Sequence, residues 1–432
     1  MMKIDTPEFR ALFTPELNEL SRLFLENGYE IRLAGGPVRD LLLGIEPKDL
    51  DFATNATPDQ MKEIFEKNQV RMINNRGEQH GTVTPRIFDK ENFEVTTLRI
   101  DVSTDGRHAE VQFTDDWKLD ASRRDLTINS MFLGLDGILY DFFGGSSDLK
   151  ERRVRFVGEA DKRIKEDYLR ILRYFRFYGR IATTPNSHDE STLQAIRDNA
   201  SGLDIISGER IWSELKKILT GRYAADLIMC LLDTGCGPHV GLPKEVGGSS
   251  LSIVYSRLQG LEYEAMTLLS SILQDDSDVM HFHQRMKLSN FDRDLGFFIA
   301  ENRGIKDNEL LSLKTYQLLL ADAKPERFKE CRKWILELMK YQGANASLRE
   351  EFEAWQMPRF PVNGHTLVQH KVPRGKLMSV VLSKLKNHWK DNDFNATLEE
   401  LEKKIPDILR EASGNDLNIE KDSAVSKRQR RS

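Results

Sequence analysis

Apolar positions in the first part of the chain change repeatedly between helical and strand spacing. A threonine-proline pair at 14–15 supplies an N-cap and a first-turn proline, which predicts the start of an amphipathic helix. A strand pattern over 29–34 ends at Gly35-Gly36, and 37–43 has helical character. The chain is therefore expected to open with a helix, a strand, a glycine turn and a second helix.

This alternation continues to about residue 150 and then stops. Further strands are predicted around 49–53, 93–99, 110–114 and 138–143, whereas the pattern after them is typical of successive helices. The change predicts an α+β protein in which a small mixed-sheet head is followed by an all-α remainder.

The composition is that of a globular protein without an excess of either charge. The 432 residues are 39% hydrophobic, and 63 basic against 68 acidic residues give a formal charge of −5. The three cysteines form no CxxC pair, and no apolar run approaches the roughly 18 residues of a membrane span. These features exclude a disulfide framework and a membrane protein, and they confine any positive surface for nucleic acid to local clusters.

The two ends of the chain carry different signals. The amino terminus resembles neither a secretory signal nor a mitochondrial presequence, so the chain as written is expected in the cytoplasm, with a mitochondrial form possible from an upstream start. After about residue 414 the apolar periodicity stops, and 427–432 is strongly basic. We expect 414–432 to be a disordered tail, which is either a nuclear import signal, an RNA-contacting arm or a solubilising segment.

Asp49 and Asp51 are the first candidates for chemistry. Residues i and i+2 of a strand project from the same face, so two carboxylates in this pattern would lie together and repel. At ~6 Å and an effective dielectric of ~20 the repulsion is about 3 kcal/mol, which a divalent cation between them would offset. Mg²⁺ commonly uses one or two carboxylates together with substrate phosphates. Two surface aspartates are the alternative, because a three-residue pattern is not specific on its own.

The surroundings of this pair favour a phosphate-binding site. Gly35-Gly36 lies one short helix upstream, and its bare backbone could approach a triphosphate. Arg39 lies one turn into that helix and adds a guanidinium fork for phosphate oxygens. Glu94, on another predicted strand, is a third carboxylate that could complete the cluster.

Four ordered motifs give the sequence a family resemblance. AGGPVRD at 34–40, DLDFAT at 49–54, RRDLTIN at 123–129 and EDYLRILR at 166–173 closely resemble the motifs of class II tRNA nucleotidyltransferases, the CCA-adding enzymes, and of the related bacterial poly(A) polymerases. The resemblance extends from near residue 8 to near residue 410, and it is strongest to the eukaryotic cytosolic and mitochondrial type. Pro37 stands where alanine is usual, at a position in the first helical turn that accepts proline.

The resemblance implies a division of the chain. It places a catalytic nucleotidyltransferase head at 1–148 and a helical neck with a nucleotide-selecting helix at 149–240. A helical body at 241–355 and a helical tRNA-binding tail at 356–413 follow. The oligomeric state is not readable from the sequence.

The resemblance also implies the reaction and its residues. A tRNA 3′-hydroxyl attacks the α-phosphorus of CTP or ATP, and pyrophosphate leaves, in a two-metal Mg²⁺ site. Asp49 and Asp51 match the metal ligands, with Glu94 as a third catalytic carboxylate. The residues that match nucleotide contacts are Gly35, Gly36, Arg39, Arg124, Asp167, Arg170, Arg173 and Arg176.

A helix predicted over 162–178 carries the residues that would choose the base. Cytosine and adenine each present an amino donor beside an unprotonated ring nitrogen, whereas uracil and guanine present a carbonyl beside a ring N–H. A carboxylate at Asp167 and a guanidinium at Arg170 would complement the first pair and oppose the second. The alternative is a surface helix with an ordinary Asp–Arg pair.

Several expectations are left open by the sequence. The polar segment 101–108 matches the family's flexible head loop and is a candidate for the switch from C to A addition. Arg210 either contacts substrate or pairs with Glu214, and we expect the ion pair. The alternatives to complete CCA addition are a poly(A) polymerase, a partial CC- or A-adding enzyme, and a catalytically silent tRNA-binding protein.

Overall fold

A computed structural model describes residues 2–73, 80–104, 109–244, 246–306 and 311–412 of the chain. The chain forms two compact units, 1–301 and 302–432. The predicted basic tail at 414–432 lies outside the described residues. No helix in the described ranges is long and apolar enough to cross a membrane.

The strands all belong to the first 140 residues of the described chain. They are β1 (Ile31–Ala34), β2 (Asp51–Thr54), β3 (Arg71–Ile73), β4 (Thr82–Ile87), β5 (Glu91–Asn92), β6 (Glu94–Thr97), β7 (Arg99–Thr104), β8 (Ala109–Phe113), β9 (Phe132–Gly134) and β10 (Leu139–Tyr140).

One mixed sheet organises the head. Its strand order is β10-β9-β1-β2-β6-β4-β3, with β5 paired to β4, and β7 and β8 form a separate antiparallel hairpin. Only the β2–β6 pair among the described strands is parallel, in a register that aligns Asp51 with Glu94. Phe52 and Phe93, both buried, meet edge to face at 5.8 Å beside this pair. The register therefore fixes two carboxylates at the same end of neighbouring strands.

Helices of the first unit surround this sheet and continue beyond it. They are α1 (Pro7–Ala11), α2 (Pro15–Glu26), α3 (Gly36–Leu42), α4 (Pro58–Lys67), α5 (Trp117–Ser122), α6 (Gly145–Lys150), α7 (Ala160–Glu166), α8 (Arg170–Ile181), α9 (Glu190–Asn199), α10 (Gly208–Leu219), α11 (Ala224–Asp233), α12 (Gly248–Leu258), α13 (Ala265–Leu269), α14 (Asp276–Met286) and α15 (Asn290–Asn302).

Sequence signals at helix starts are confirmed by hydrogen bonds. The Thr14 side chain accepts from the backbone N–H of Leu17, and Thr57 and Gln60 form a reciprocal capping box at the start of α4. The apolar face of α2, which includes Leu17 and Leu20, is fully buried. Local capping and apolar spacing therefore agree with the packing.

The second unit is helical in its described part. Its helices are α16 (Leu313–Asp322), α17 (Phe328–Gln342), α18 (Ala346–Ala354), α19 (Gly364–Gln369), α20 (Lys376–Asp391) and a last helix, α21, at 398–412. Leu367, Val381, Leu385, Trp389 and Leu401 lie in one buried cluster of this unit. The predicted α+β class, with a mixed-sheet head and an all-α remainder, is confirmed.

Two local predictions about the active region are wrong. Strand β2 begins at Asp51. Asp49 was expected on the same strand but lies in a bend before it. The single helix predicted over 162–178 is divided into α7 and α8, because the backbone at Asp167 is extended, with φ −156° and ψ 106°. Both differences change where the candidate side chains point.

The predicted strand pattern also missed part of the sheet. Strands β3, β4, β5 and β9 were not predicted, and β7 continues to Thr104, into the segment expected to be loop. Residues 105–108 of that segment lie outside the described ranges. The sheet is therefore larger than the apolar alternation indicates.

Candidate active site

A cavity of about 590 Å³ opens between the sheet of the head and helices α8 and α10, within the first unit. It is lined by Ala34, Gly35, Gly36, Arg39, Asp51, Phe52, Thr82, Glu94, Thr96, Arg99, Arg123, Arg124, Asp125, Asn129, Asp167, Leu169, Arg170, Arg173, Phe177 and Arg210. This volume falls within the usual range for small-molecule sites. Nine of the eleven predicted site residues line it, while Asp49 and Arg176 do not.

The glycine turn brings bare backbone to the cavity wall. Gly35 follows β1 and has φ +72°, and Gly36 begins α3. A Cβ atom at Gly35 would lie 2.9 Å from Nη1 of Arg124 and 3.3 Å from the carbonyl oxygen of Asn129. Both the backbone angle and the available space therefore require glycine at this position.

Asp51 and Glu94 form the acidic edge of the cavity. Both side chains are exposed to it, and the parallel register holds their Cα atoms side by side. Burial, together with the negative charges of Glu94 and Asp49, raises the pKa of Asp51, although Arg124 acts in the opposite direction. The like charges destabilise one another, so this edge favours a bound cation.

The carboxylates fit a metal that takes part of its coordination from substrate. No cluster of three or more His, Cys, Asp or Glu side chains in the described ranges is arranged to hold an ion by itself. Asp51 and Glu94 line the cavity, and Asp49 is close enough to perturb Asp51 from the preceding bend. One or two carboxylates completed by phosphate oxygens and water is the donor set that Mg²⁺ ordinarily takes.

Arg39 is fixed on the opposite wall. Its side chain is buried, and it donates from Nη1 to Oδ1 of Asn129 at 2.6 Å and from Nε to Oδ1 of Asp40 at 3.0 Å. Burial lowers the pKa of the guanidinium, and the nearby positive charge of Arg180 acts in the same direction. A buried cation of this kind is pre-organised for a phosphate group.

Asp120 anchors the arginine pair at 123–124. Its carboxylate is almost fully buried and accepts from Nε of Arg123 at 2.9 Å and from Nη2 of Arg124 at 3.1 Å. Burial opposes ionisation, yet attraction to Arg124 and Arg123 outweighs it and holds the pKa of Asp120 below its usual value. Both arginines therefore form an ion pair with the same carboxylate, and both line the cavity.

Asp167 sits at the break between α7 and α8 and faces the cavity. Its Oδ1 accepts from the backbone N–H of Leu169 at 3.1 Å, and its Oδ2 accepts from Nη2 of Arg210 at 2.7 Å. The expected pairing of Arg210 with Glu214 is wrong: Arg210 donates to Asp167, and Glu214 accepts from Arg176. Arg210 instead reaches across from α10 to orient the carboxylate.

Arg170, Arg173 and Arg176 follow Asp167 but have different surroundings. Arg170 donates to Glu166 at 2.6 Å and to the backbone carbonyls of Arg163 and Arg123 at 3.1 and 2.8 Å. Arg173 donates from Nε to Oδ2 of Asp125 at 2.5 Å. Arg176 faces a second cavity instead of the first.

Sequence reasoning missed the residues that position the arginines. Asn129 holds Arg39, and Asp125 holds Arg173. Both belong to the RRDLTIN motif, so the motif was the available signal, but their partners lie 90 and 48 residues away. Arg99 and Phe177 also line the cavity without having been selected.

Comparison with known proteins agrees with this site. The family profile described as Poly A polymerase head domain matches residues 31–155, and the profile described as Probable RNA and SrmB- binding site of polymerase A matches 188–240. The sheet, the glycine turn and the carboxylate edge thus belong to a nucleotidyltransferase head of the poly(A) polymerase type.

Two mammalian relatives match nearly the whole chain. Over 403 residues, 93% of this chain and 92% of the relative, the chain is 51% identical to the Mus musculus protein named CCA tRNA nucleotidyltransferase 1, mitochondrial, and 49% identical to the Homo sapiens protein of that name. The Bacillus stearothermophilus CCA-adding enzyme, solved in complex with CTP, covers 95% of this chain and 100% of its own at 26% identity, with a TM-score of 0.72. This chain belongs to the family of CCA tRNA nucleotidyltransferases.

Proposed function

We propose that this protein adds and repairs the 3′-terminal CCA of tRNA, using CTP and ATP and no nucleic-acid template. The observation that carries the proposal is one cavity in which a glycine turn, two aligned carboxylates and the Asp167–Arg210 pair face one another. The first two features suit the triphosphate of a nucleotide, and the third suits the edge of its base. The reaction is attack of the tRNA 3′-hydroxyl on the α-phosphorus, with pyrophosphate as the leaving group.

The phosphates are bound by the backbone and by arginines held in fixed positions. The peptide groups of Gly35 and Gly36 approach the triphosphate, because no side chain intervenes. Arg39, Arg124 and Arg173 supply charge, and each is held by a carboxylate or amide that leaves further N–H groups for substrate. Such pre-organised cations stabilise charge that develops in the transition state.

Asp49, Asp51 and Glu94 are the residues that would hold divalent metal. When bound, Mg²⁺ would polarise the attacking hydroxyl and stabilise the leaving pyrophosphate. The contribution of the chain itself is to concentrate negative charge at the start of β2 and β6, where Asp51 is already destabilised as an anion by its neighbours. Removing divalent ions with a chelator should therefore abolish incorporation, and adding Mg²⁺ should restore it.

Base selection follows from the donors and acceptors on α8 and at its start. Asp167 accepts from the exocyclic amino group of cytosine or adenine, and Arg170 donates to the adjacent ring nitrogen. Arg170 has five N–H groups and makes three hydrogen bonds in the described contacts, so donors remain for substrate. Uracil and guanine would leave these charged groups unpaired, at a cost of roughly 1 to 3 kcal/mol for each.

The activity is tested with three tRNAs that end before CCA, at C and at CC. Each is incubated with CTP and ATP together, one of them labelled, and the products are separated at single-nucleotide resolution. We expect the first to gain C, C and A, the second C and A, and the third only A. Long A tracts would instead indicate a poly(A) polymerase, which the name of the matching head profile keeps as the second candidate.

Base selection is tested with Asp167→Ala. We expect incorporation of UTP and GTP to rise relative to CTP, because the variant loses the acceptor that opposes their carbonyl edge. Arg210→Ala, which removes the partner of Asp167, should reduce selectivity less, since the carboxylate stays. An unchanged preference for C and A in Asp167→Ala would refute the role of this residue in base choice.

A catalytically silent tRNA-binding protein makes a different prediction. Its tRNA affinity would be unaffected by Asp51→Ala, and the unmodified protein would incorporate no nucleotide. Loss of both C and A addition in Asp49→Ala and Asp51→Ala, with tRNA affinity retained, supports the enzyme.

We further propose that part of the cellular pool is mitochondrial. The support is that the mouse and human relatives carry this location in their names. Cytoplasmic and nuclear pools stay predictions from the sequence, and imaging of the protein tagged at the carboxyl terminus in its own gene tests all three.

A further inference from the structure

A second cavity, of about 610 Å³, lies directly behind the first within the same unit. It is lined by Arg39, Arg176, Phe177, Gly179, Arg180, Lys217, Ile218, Gly221, Arg222 and Leu227. Arg39 and Phe177 also line the first cavity, so these two side chains form a wall that the cavities share. A group bound to Arg39 in the first cavity therefore lies next to the second cavity.

The second cavity has a strongly cationic lining. Five of its lining residues are Arg or Lys, and no lining residue is acidic. Two carboxylates that pair with the lining cations offset part of this charge. Asp40 accepts from both Arg39 and Arg180, and Glu214 accepts from Arg176 and pairs with Lys217 at 3.7 Å. Five cations less two carboxylates leave a local charge of about three positive units among the described residues.

The cations are graded in exposure from the shared wall to the surface. Arg39 is buried and Arg176 is half-buried, whereas Arg180, Lys217 and Arg222 are exposed. Burial lowers the pKa of Arg176 to about 10, and the positive charges of Arg173 and Arg39 act in the same direction. A polyanion in the cavity would relieve this repulsion.

The floor of the cavity keeps the cations near low-dielectric surface. Phe177, Ile218 and Leu227 are buried apolar side chains, and the Arg176 guanidinium lies 4.3 Å from the ring centroid of Phe177. Charge interactions are stronger beside such a surface than in open water. The cavity therefore suits a small, multiply charged ligand with no base or ring to recognise.

We propose that this second cavity binds the pyrophosphate released by nucleotidyl transfer and forms its exit from the active site. The inference rests on the proposed function, because that reaction supplies pyrophosphate on the other side of Arg39. The alternative source of the same anionic chemistry is a backbone phosphate of tRNA. The two differ in which kinetic constant depends on the exposed cations.

Lys217 is the residue to change, because it is exposed and does not touch the first cavity. The series Lys217→Arg, Lys217→Gln and Lys217→Glu keeps, removes and reverses its charge. Lys165→Gln is the matched control, since Lys165 is similarly exposed, at 56% against 53%, and also pairs with a single carboxylate on its own helix. None of these substitutions disturbs buried packing.

Pyrophosphate inhibition of CMP incorporation is measured at saturating CTP, so that competition in the first cavity is suppressed. We expect the inhibition constant to rise by about threefold or more in Lys217→Gln and further in Lys217→Glu. It should stay near the parent value in Lys217→Arg and Lys165→Gln, with the KM values for CTP and tRNA unchanged. An unchanged inhibition constant throughout the series would overturn the proposal. A raised KM for tRNA with unchanged inhibition would also overturn it and assign the cavity to tRNA phosphate.

Direct binding separates this inference from the proposed function. Calorimetric titration of pyrophosphate into the full chain with saturating CTP and no tRNA should show one site that weakens in Lys217→Glu. Absence of that site, in a protein that still incorporates CMP, overturns only the exit cavity. A protein that incorporates neither C nor A refutes the proposed function, whatever pyrophosphate does.

Discussion

Asp51 is the residue at which chemistry and stability conflict most directly. Its carboxylate is aligned with Glu94 across β2 and β6, and burial and two neighbouring negative charges raise its pKa. A carboxyl group whose pKa is raised in the folded state favours the protonated form there. The fold therefore gains stability from this group as the pH falls through the folded pKa, and it carries a penalty at neutral pH.

Asp51→Asn should separate the two effects. Without divalent ions, we expect its Tm at pH 7 to exceed that of the parent, because the amide removes like-charge repulsion, while incorporation of both C and A is lost. Differential scanning calorimetry and the incorporation assay measure these outcomes. Asp59→Asn, at a side chain that is 93% exposed, should change neither. A lower Tm for Asp51→Asn would contradict the repulsion.

Asp125 shows the opposite behaviour. Burial would raise the pKa of its carboxyl group, but attraction to Arg173 and the hydrogen bond from it outweigh burial and hold the pKa below the usual value. The stabilisation is therefore complete above the pKa of the unfolded chain, near ~3.9, and is lost as the pH falls towards the folded pKa.

Asp125→Ala should lower the free energy of unfolding by about 3 kcal/mol at pH 7, because it leaves Arg173 without its carboxylate. Urea unfolding at pH 7 and in steps below pH 4 tests this, and the difference from the parent should shrink towards acid. Asp161→Ala removes a half-exposed carboxylate that accepts from Lys165 and Asn199, and it should have a smaller effect. A difference that does not depend on pH would be inconsistent with the ion pair.

Motif residues could be found from the sequence, whereas their partners could not. The four motifs contain Gly35, Arg39, Asp51 and Asp167, all of which line the cavity. Arg210 lies 43 residues from Asp167, and its nearest sequence partner, Glu214, is taken by Arg176. Helical spacing cannot show that competition, because it depends on how α8 and α10 pack.

At the scale of elements, the break between α7 and α8 decides the geometry of base selection. Helical spacing continues through 162–178, so the sequence predicts one helix. The observed chain leaves the helix at Asp167, whose carboxylate then accepts the N–H of Leu169 at the start of α8. Asp is well suited to such local capping, but this signal is weaker than the apolar periodicity around it.

The β7–β8 hairpin carries the predicted switch between C and A addition. The described strands end at Thr104 and resume at Ala109, so the connecting residues of the predicted loop are not described. Deletion of residues 103–107 should spare addition of the two C residues and impair the final A. Replacement of the same residues by glycine and serine keeps the length and is the control. Equal loss of C and A addition would reject the switch.

At the scale of the whole molecule, a net charge of −5 conceals a local division of charge. Carboxylates meet at the start of β2 and β6, whereas arginines dominate the rest of the cavity lining. The α+β class could be predicted because the change from strand to helix spacing is strong. The boundaries predicted at 148, 240 and 355 stay predictions, since continuous helical patterns contain no clear signal for where one domain ends.

The tail predicted at 356–413, which lies within the second unit, is expected to hold tRNA through phosphate contacts. Lys371, Arg374 and Lys376 are exposed at the start of α20. Their combined substitution by alanine should raise the KM for tRNA and leave the KM for CTP unchanged. The fall of log affinity with log salt should become less steep, by about 2 in the slope. Substitution of Lys403, Lys404 and Arg410, exposed basic residues of α21, is the control of equal charge. Equal effects of the two triple variants would reject a specific contact near the start of α20.

The most direct measurement is the 3′-end sequence that the purified protein makes on a tRNA lacking CCA when all four nucleoside triphosphates and Mg²⁺ are supplied together. Selection by Asp167 and its neighbours predicts products that end in C, C and A and extend no further, with U and G rare. The same reaction with Asp167→Ala should show U or G at these positions. Long A tracts, unselective addition by the unmodified protein, or no addition would contradict template-independent CCA synthesis in this cavity.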